Sequence, residues 1–225
     1  MGEYRVTNET PHHIAIEGVI GVGKTSLARL LADRLDAGLL LEEASDNPFL
    51  ADFYRDQARF AFPTQIFFLL SRYQQQQRLL ERDLFVTQVI SDYLFDKDTL
   101  FASVTLSDRE LALYHKIASV LRRDIPPPDL VIYLQASTPI LLARIKKRSR
   151  AMEKAIDADY IDALNEAYNS HFFHYNTAPL LVVKTDEIDF VDNPSHLEDL
   201  VEQIKRPRRR TTYYAPAGDL DKHTL

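Results

Sequence analysis

The residues best suited to chemistry in this 225-residue chain are Gly18-Val-Ile-Gly-Val-Gly-Lys-Thr25. They match the pattern G-x-x-x-x-G-K-[ST], and they lie between an apolar strand candidate at 14–16 and a predicted helix over 26–35. Glycines let backbone N–H groups wrap a polyphosphate, and the helix N-terminus adds partial positive charge. Lys24 can reach the outer phosphates, and the Thr25 hydroxyl can ligate Mg²⁺. The segment therefore predicts a site for a nucleoside triphosphate with Mg²⁺.

Carboxylates follow two further predicted strands. Glu42 and Glu43 follow the second, where a carboxylate can take a proton from an attacking hydroxyl or hold Mg²⁺ through water. The alternative is an exposed pair of carboxylates in a loop. Asp92 follows the third strand, a position from which an acidic residue commonly holds the Mg²⁺ of a phosphate-loop enzyme.

A basic run, Arg144-Ile-Lys-Lys-Arg-Ser-Arg150, is the third candidate. Arg144 and Arg148 are four residues apart, so they share one face of a helix. Guanidinium groups present a rigid fork of donors to phosphate and can neutralise a transferring phosphoryl group. A solvated helix end is the alternative, and the nearby phosphate loop favours the functional interpretation.

Gln65 and Arg72 stand two helical turns apart on one face of a predicted helix, among the apolar residues of 66–70. Polar groups in such a setting need partners. A planar base hydrogen-bonded by Gln65 and held by Arg72 would provide them. A surface glutamine and a buried ion pair would also account for the pattern, and the residue chemistry leaves both alternatives open.

The elements that must position these residues alternate between strands and helices, which predicts a parallel sheet with helices on both faces. The strand candidates are residues 13–16, 39–41, 85–90, 130–134 and 180–183. A long helix is expected from Pro63, a favourable first helical position, to about Arg82. Ser107-Asp-Arg-Glu110 predicts a capping box at the start of another helix. Further helices are expected from 137–139 into the basic run, over 159–176, and over 195–204.

Composition narrows the class of protein. The chain is 45% hydrophobic with no apolar run long enough for a membrane span, and its net charge of −6 argues against broad nucleic-acid binding. It contains no cysteine, which fits a reducing cytoplasm. We expect one domain over residues 1–205 and a flexible tail over 206–225. The basic cluster at 205–210 is interpreted as part of a solvated tail, with contact to a phosphate or nucleic acid as the alternative.

Taken together, several segments resemble the deoxynucleoside kinase family over residues 14–193. The segments that carry the resemblance are Ile16-Glu-Gly-Val-Ile-Gly-Val-Gly-Lys-Thr25, Asn47-Pro-Phe-Leu50, Tyr54, Gln65-Ile-Phe-Phe-Leu-Leu-Ser-Arg72 and the basic run 144–150. The resemblance implies a phosphate-loop, three-layer α/β/α fold with a five-stranded parallel sheet. It also implies a homodimer and transfer of the γ-phosphoryl of ATP to the 5′-hydroxyl of a deoxynucleoside.

The resemblance also implies roles for individual residues. Glu43 would be the general base, with Glu42 as a possible substitute because the chain has Glu43-Ala44 where the family usually has Glu-Pro. Loop 186–193 would hold the adenine of ATP. The implied catalytic residues are Lys24, Glu43, Arg144 and Arg148. The implied ATP contacts are Gly18, Val19, Ile20, Gly21, Val22, Gly23, Lys24, Thr25, Ser26, Arg144 and Arg148. The implied acceptor contacts are Glu43, Tyr54, Gln65, Arg72, Asp92, Arg150 and Glu153, with Tyr54 and Glu153 on the sugar 3′-hydroxyl. Arg144, Arg148 and Arg150 would form a lid over the phosphates, and Thr25 and Asp92 would hold Mg²⁺.

One departure from the family pattern affects the prediction. The family usually has an acidic residue followed by Arg-Ser after the third strand, whereas this chain has Ser91-Asp92-Tyr93. A second cation must replace the arginine, with Lys97 as one candidate, or the chemistry is slower. Two rival functions stay open at this point: a nucleoside monophosphate kinase resembling thymidylate kinase, and a nucleotide-binding regulatory module without catalysis.

Overall fold

The centre of the molecule is a parallel sheet. A computed structural model describes residues 11–80, 88–150, 153, 156–191, 193–206 and 210–215. Within these residues the sheet has six strands in the order β2-β3-β1-β4-β5-β6, and each neighbouring pair runs parallel. The strands are β1 (His13–Gly18), β2 (Gly38–Leu40), β3 (Val89–Ser91), β4 (Leu130–Gln135), β5 (Leu180–Lys184) and β6 (Thr212–Tyr214).

The central strands are apolar along nearly their whole length, as expected for strands covered on both faces. In β4, five of six residues are buried, and β1 is buried from Ile14 onward. Because all the strands point the same way, their carboxyl ends meet along one edge of the sheet. That edge is where ligands bind in open α/β sheets.

Helices connect and flank the strands. They are α1 (Lys24–Leu35), α2 (Leu50–Phe53), α3 (Gln57–Leu80), α4 (Lys97–Thr105), α5 (Asp108–Leu121), α6 (Thr138–Arg148), α7 (Ala158–Phe173) and α8 (Pro194–Lys205). The main core joins both sides of the sheet, and a second cluster of apolar side chains joins α3 to α5. None of the described helices has the length and hydropathy that a bilayer span requires.

The expected α/β class is confirmed, but the strand count is corrected from five to six. The sixth strand, Thr212–Tyr214, pairs with β5 and lies in the segment that we expected to be a flexible tail. The prediction of a tail over 206–225 is therefore wrong for residues 212–214. Thr-Tyr-Tyr has high strand propensity, but the basic residues just before it suggested solvation instead. The predicted strand over 85–90 is found at Val89–Ser91, and its residues 85–87 lie outside the described part.

The start of the long helix is also corrected. Helix α3 begins at Gln57, so Pro63 lies inside it rather than at its first position. The earlier start has a local cause, because the Asp56 carboxylate accepts a hydrogen bond from the N–H of Arg59 at 3.3 Å. This is the geometry of an N-cap. The predicted capping box at the start of α5 is confirmed, with Ser107 N donating to Glu110 at 3.0 Å.

Candidate active site

A cavity of about 710 Å³ opens at the carboxyl edge of the sheet. Its wall takes residues from the segments that follow β1, β2, β3 and β5, and from α3 and α6. Most of the residues that the sequence predicted as functional meet here. They are Ile20, Gly21, Val22, Gly23, Lys24, Thr25, Ser26, Tyr54, Gln65, Arg72, Asp92, Arg144, Arg148, Arg150 and Glu153.

The phosphate loop forms the floor of one end of the cavity. Gly23, at the start of α1, has φ 108°, a conformation that favours glycine. At Gly18 a β-carbon would lie 2.5 Å from the carbonyl oxygen of Leu134, so the close approach of β4 also requires glycine. Gly18 and Val19 were predicted to contact ATP, but both are buried and neither lines the cavity. Their part in the loop is therefore indirect.

Lys24 lies folded onto its own loop. Its Nζ donates to the carbonyl oxygens of Gly18 at 2.7 Å and Val19 at 3.2 Å. Burial, and then the nearby charge of Lys97, lower the pKa of Lys24 to about 8. An anion in the loop would relieve this cost, because it would supply the charge that two neutral carbonyls do not.

Thr25 and Asp92 form the oxygen pair expected for a metal. The Thr25 hydroxyl donates to Asp92 Oδ2 at 2.5 Å, and Asp92 Oδ1 accepts from the N–H of Glu42 at 2.7 Å. Magnesium prefers hard oxygen ligands and usually keeps waters and substrate phosphates in its shell. A hydroxyl and a carboxylate beside a phosphate loop therefore fit Mg²⁺. No cluster of three acidic, His or Cys residues suited to a metal occurs in the part of the chain that the structure describes.

Of the two adjacent glutamates, Glu42 lies in the cavity and Glu43 does not. Glu43 is exposed in the loop after β2, so the structure does not bring it together with the other residues predicted to contact the acceptor. The Glu42 side chain is 17% exposed and is bound by Arg72 and by Lys97, whose Nζ lies 2.5 Å from Glu42 Oε2. Burial alone would raise the pKa of Glu42, but Lys97 and Arg72 outweigh it and lower the pKa well below its usual range. Glu42 is therefore ionised in the free protein.

Lys97 brings a second positive charge to Glu42. It is the first residue of α4 and reaches the same carboxylate that Arg72 reaches from α3. Lys97 was only one candidate for this task on sequence grounds. Lys97 lies six residues after Ser91 in the sequence, and its ammonium group contacts the Glu42 carboxylate.

Gln65 and Arg72 meet at the far end of the cavity. Arg72 forms a buried ion pair with Asp98, and its guanidinium lies over the ring of Phe68 at 5.2 Å. Within the described residues, Gln65 Oε1 and Asp98 Oδ2 are buried without a hydrogen-bond partner. Unpaired buried acceptors next to an arginine and an aromatic ring suit a planar base with donor groups on its edge. Of the alternative to base binding, the buried ion pair is found, but Gln65 is buried rather than a surface glutamine, and contact with a base stays a prediction.

Tyr54 and Glu153 line the cavity together with two of the predicted lid arginines. Arg148 donates to Glu153 at 2.5 and 3.2 Å, and Arg150 lies 3.7 Å from the same carboxylate. Burial and the Glu153 charge raise the pKa of Tyr54, so its hydroxyl stays protonated. In the free protein Arg148 and Arg150 are both held by the Glu153 carboxylate.

Arg144 takes a different place from the other predicted lid arginines. Its guanidinium donates to the carbonyl oxygens of Thr185 at 2.6 Å and Val22 at 3.3 Å, and to the Thr185 hydroxyl at 3.1 Å. It thereby ties the phosphate loop to the segment after β5. In that segment Ile188, Asp189, Phe190 and Val191 line the cavity, within the loop predicted to hold adenine.

Sequence reasoning missed several residues of this site. Asp98 pairs with Arg72, and the aromatic side chains of Phe53, Phe101 and Tyr160 line the cavity. Asp98 carried one signal, since it follows Lys97 in a charged run of three residues at the start of a helix. The aromatic residues carried none, because each is equally typical of a core.

Comparison with known proteins agrees with this geometry. A model of the family described as deoxynucleoside kinase matches residues 14–207. A deoxyguanosine kinase of Bacillus subtilis is 38% identical over 201 residues, covering 87% of this chain and 97% of the relative. A deoxyadenosine/deoxycytidine kinase of the same organism is 32% identical, covering 85% of this chain and 90% of the relative.

A solved structure shares the fold as well. The deoxyadenosine kinase from M. mycoides with bound dCTP superposes with a TM-score of 0.73 at 26% identity, covering 85% of this chain and 98% of that one. The phosphate loop, the paired carboxylate of Glu42 and the matched length of these relatives lead to one assignment. This chain belongs to the deoxynucleoside kinase family.

Proposed function

We propose that this kinase transfers the γ-phosphoryl group of ATP to the 5′-hydroxyl of a deoxynucleoside, with Glu42 as the general base. The observation that carries the proposal is the position of Glu42. Its carboxylate is ionised and lies in the same cavity as the phosphate loop and Lys24. A carboxylate held in this way can accept the hydroxyl proton as the acceptor oxygen attacks phosphorus.

The donor end positions and neutralises the transferred group. Lys24 and the N–H groups of the loop would bind the β- and γ-phosphates, and Arg148 and Arg150 would move from Glu153 onto them. Thr25 and Asp92 would hold Mg²⁺, which would neutralise part of the negative charge of the phosphates. Catalysis of this kind depends on alignment and charge more than on covalent chemistry.

The acceptor end favours a nucleoside over a nucleoside monophosphate. An acceptor that carries its own phosphate needs cations that are free to bind it. The two cations nearest Glu42 are Arg72 and Lys97, and the charge of Arg72 is shared between Glu42 and Asp98. Gln65, Arg72 and Asp98 would instead read the edge of the base, and Tyr54 and Glu153 would hold the 3′-hydroxyl.

We further propose a homodimer and a cytoplasmic location. Exposed apolar side chains on α3 and α5, namely Leu70, Leu113 and Val120, support a contact between copies of the chain. The absence of cysteine from the sequence supports a reducing compartment. Light scattering after size exclusion would test the first proposal, and fractionation of cells would test the second.

The central test is a panel of possible acceptors with ATP, with and without Mg²⁺. It contains the four deoxynucleosides, the ribonucleosides and thymidine monophosphate, and products are separated by chromatography. We expect a 5′-monophosphate from at least one deoxynucleoside, only when Mg²⁺ is present. Product from thymidine monophosphate alone would assign a nucleotide kinase, and ATP binding without any product would assign a regulatory module.

A further inference from the structure

Glu17 is a fully buried carboxylate that the proposed mechanism does not use. It is the residue before the phosphate loop, and its relative exposure is 0%. A buried charge is costly unless it is well hydrogen-bonded. Glu17 has three donors, all of them neutral: the N–H of Gly18 at 3.0 Å and the hydroxyl of Tyr168 at 2.9 Å on Oε1, and the N–H of Leu94 at 2.7 Å on Oε2.

The three donors belong to three different segments of the chain, none of which lines the cavity at these residues. Gly18 opens the phosphate loop, Tyr168 lies on α7, and Leu94 lies between Asp92 and Lys97. The bond to Leu94 spans 77 positions in sequence. One carboxylate therefore fixes the segment after β3 relative to the phosphate loop. That segment carries the proposed metal ligand and the cation that holds Glu42.

We infer that Glu17 is a positioning residue, which keeps Asp92 and Lys97 at the right distance from the phosphate loop for phosphoryl transfer. The inference rests on the proposed kinase function. Only a carboxylate presents acceptors to all three donors. In a Glu17→Gln variant one side of the group becomes an NH₂, which must face a backbone N–H or the tyrosine hydroxyl. One anchor is then lost while the size of the side chain is kept.

The chain offers a matched control for the tyrosine anchor. Tyr133 on β4 pairs in register with Glu17, and its ring stacks on that of Tyr168 with centroids 6.3 Å apart. Its hydroxyl donates to Asn169 Oδ1 at 2.9 Å instead of to Glu17. Tyr168→Phe and Tyr133→Phe each remove one buried hydroxyl from the same aromatic stack, but only the first removes a donor to Glu17.

The test compares the full-length protein with Glu17→Gln, Tyr168→Phe and Tyr133→Phe, well below their unfolding temperatures. For each we would measure kcat, both KM values and the Mg²⁺ concentration that gives half-maximal rate. Glu17→Gln should lower kcat about tenfold to a hundredfold and raise the Mg²⁺ midpoint, since small displacements of aligned groups are costly. Tyr168→Phe should move both quantities the same way by about fivefold or less. Tyr133→Phe should leave both unchanged.

A merely structural role for Glu17 would have a different signature. It would reduce the folded fraction, and with it the apparent kcat, while the Mg²⁺ midpoint stayed at the wild-type value, and that outcome would overturn the inference. If Glu17→Gln does not fold, the two phenylalanine variants decide, and equal behaviour of the two overturns it. Equilibrium measurement of ATP affinity at increasing Mg²⁺ concentration detects a displacement of Asp92 without requiring turnover. It therefore tests the inference even if the wild type phosphorylates no deoxynucleoside and the proposed function fails.

Discussion

The two ends of the cavity are built in different ways. The phosphate loop at the donor end is one continuous segment, in which backbone geometry and Lys24 form the proposed anion-binding surface. The acceptor end is made of side chains from the loop after β2, from α3 and from α4, joined by ion pairs among Glu42, Arg72, Lys97 and Asp98. A binding site for a common donor can thus be local in sequence, whereas a site that must select an acceptor is assembled from distant elements.

The largest effect should come from the acceptor end, at Glu42. Glu42→Gln removes the proposed base while keeping the size of the side chain, and kcat should fall by about 10²–10⁴. Glu43→Gln is the matched control, because Glu43 is adjacent in sequence but exposed, and it should keep near-wild-type kcat. Steady-state kinetics at saturating ATP gives both values. A large loss in Glu43→Gln with a normal Glu42→Gln would show that the roles of the two residues are reversed.

At the donor end, Lys24→Met should lower kcat/KM for ATP by about 10²–10³, since one charge-stabilising donor is lost.

The Lys24→Met substitution should also raise the stability of the nucleotide-free protein. In the folded protein the pKa of Lys24 lies below the ordinary lysine value of 10.5, so its charge lowers the stability below about pH 8, and that cost fades as pH rises toward 10.5. Urea unfolding at pH 7 should therefore show a higher free energy of unfolding for the variant. Lys116→Met on α5 is the control and should change neither quantity, whereas a less stable Lys24→Met would contradict the burial argument.

Lys97→Met tests the link between the cation and the base. Loss of the ammonium should lower kcat about tenfold or more and raise the pKa of Glu42, because a major cause of its low value is gone. If that pKa rises, protonation of Glu42 should lower kcat at a higher pH in the variant than in the wild type. In the wild type, Glu42 should cause no decline in kcat between pH 5 and 7. Lys97→Arg keeps the charge and should restore the wild-type profile. Identical pH profiles for the methionine variant and the wild type would argue against Glu42 as the base.

The pH dependence of ATP capture should reveal Lys24 directly. Because its pKa in the free protein is about 8, kcat/KM for ATP should fall as pH rises through 8 and the ammonium loses its proton. With ATP bound, the phosphates favour the charged form, so kcat itself should stay level over the same range. Both quantities would be measured between pH 6.5 and 9.5. A parallel fall in kcat would place the titrating group elsewhere.

The smallest effect should come from the cap of the helix that carries Gln65 and Arg72. Asp56→Ala removes the bond to the N–H of Arg59 and should cost about 0.5–1 kcal/mol of unfolding free energy. Thermal unfolding gives the value, and Asp56→Asn, which keeps a capping oxygen, should lose less. Because the cap lies at the exposed start of α3, kcat should not change. A tenfold fall in kcat would mean that the cap also positions the acceptor residues.

The same contrast explains what could be predicted from the sequence. The parallel α/β fold and the phosphate loop follow from local patterns: apolar strand runs, and glycines at fixed spacing before Lys24. Their physical causes lie within a few residues of each other. The capping box of α5 was predictable for the same reason, whereas the N-cap at Asp56 was hidden by the stronger signal of Pro63.

The acceptor end could be predicted only in part. The spacing of Gln65 and Arg72 placed both on one helix face, but nothing in the sequence brings Asp98 to Arg72 or Lys97 to Glu42. Those contacts depend on how α4 packs on α3, which is a tertiary property. The choice between Glu42 and Glu43 is likewise decided by which carboxylate two cations can reach, and not by local pattern. Residues 212–214 joined the sheet for a comparable reason, since β5 offers them an open edge.

The charged run at the start of α4 has a consequence for how such an enzyme can change over evolution. Three consecutive residues form ion pairs with three separate segments of the chain. The pairs are Asp96 with Arg122, Lys97 with Glu42 and Asp98 with Arg72. Removing one member of a buried pair leaves an uncompensated charge, which is usually more damaging than replacing both. We therefore expect lineages that alter the residue at position 72 to alter the residue at 98 as well. A new acceptor preference would then arise through paired substitutions rather than single ones.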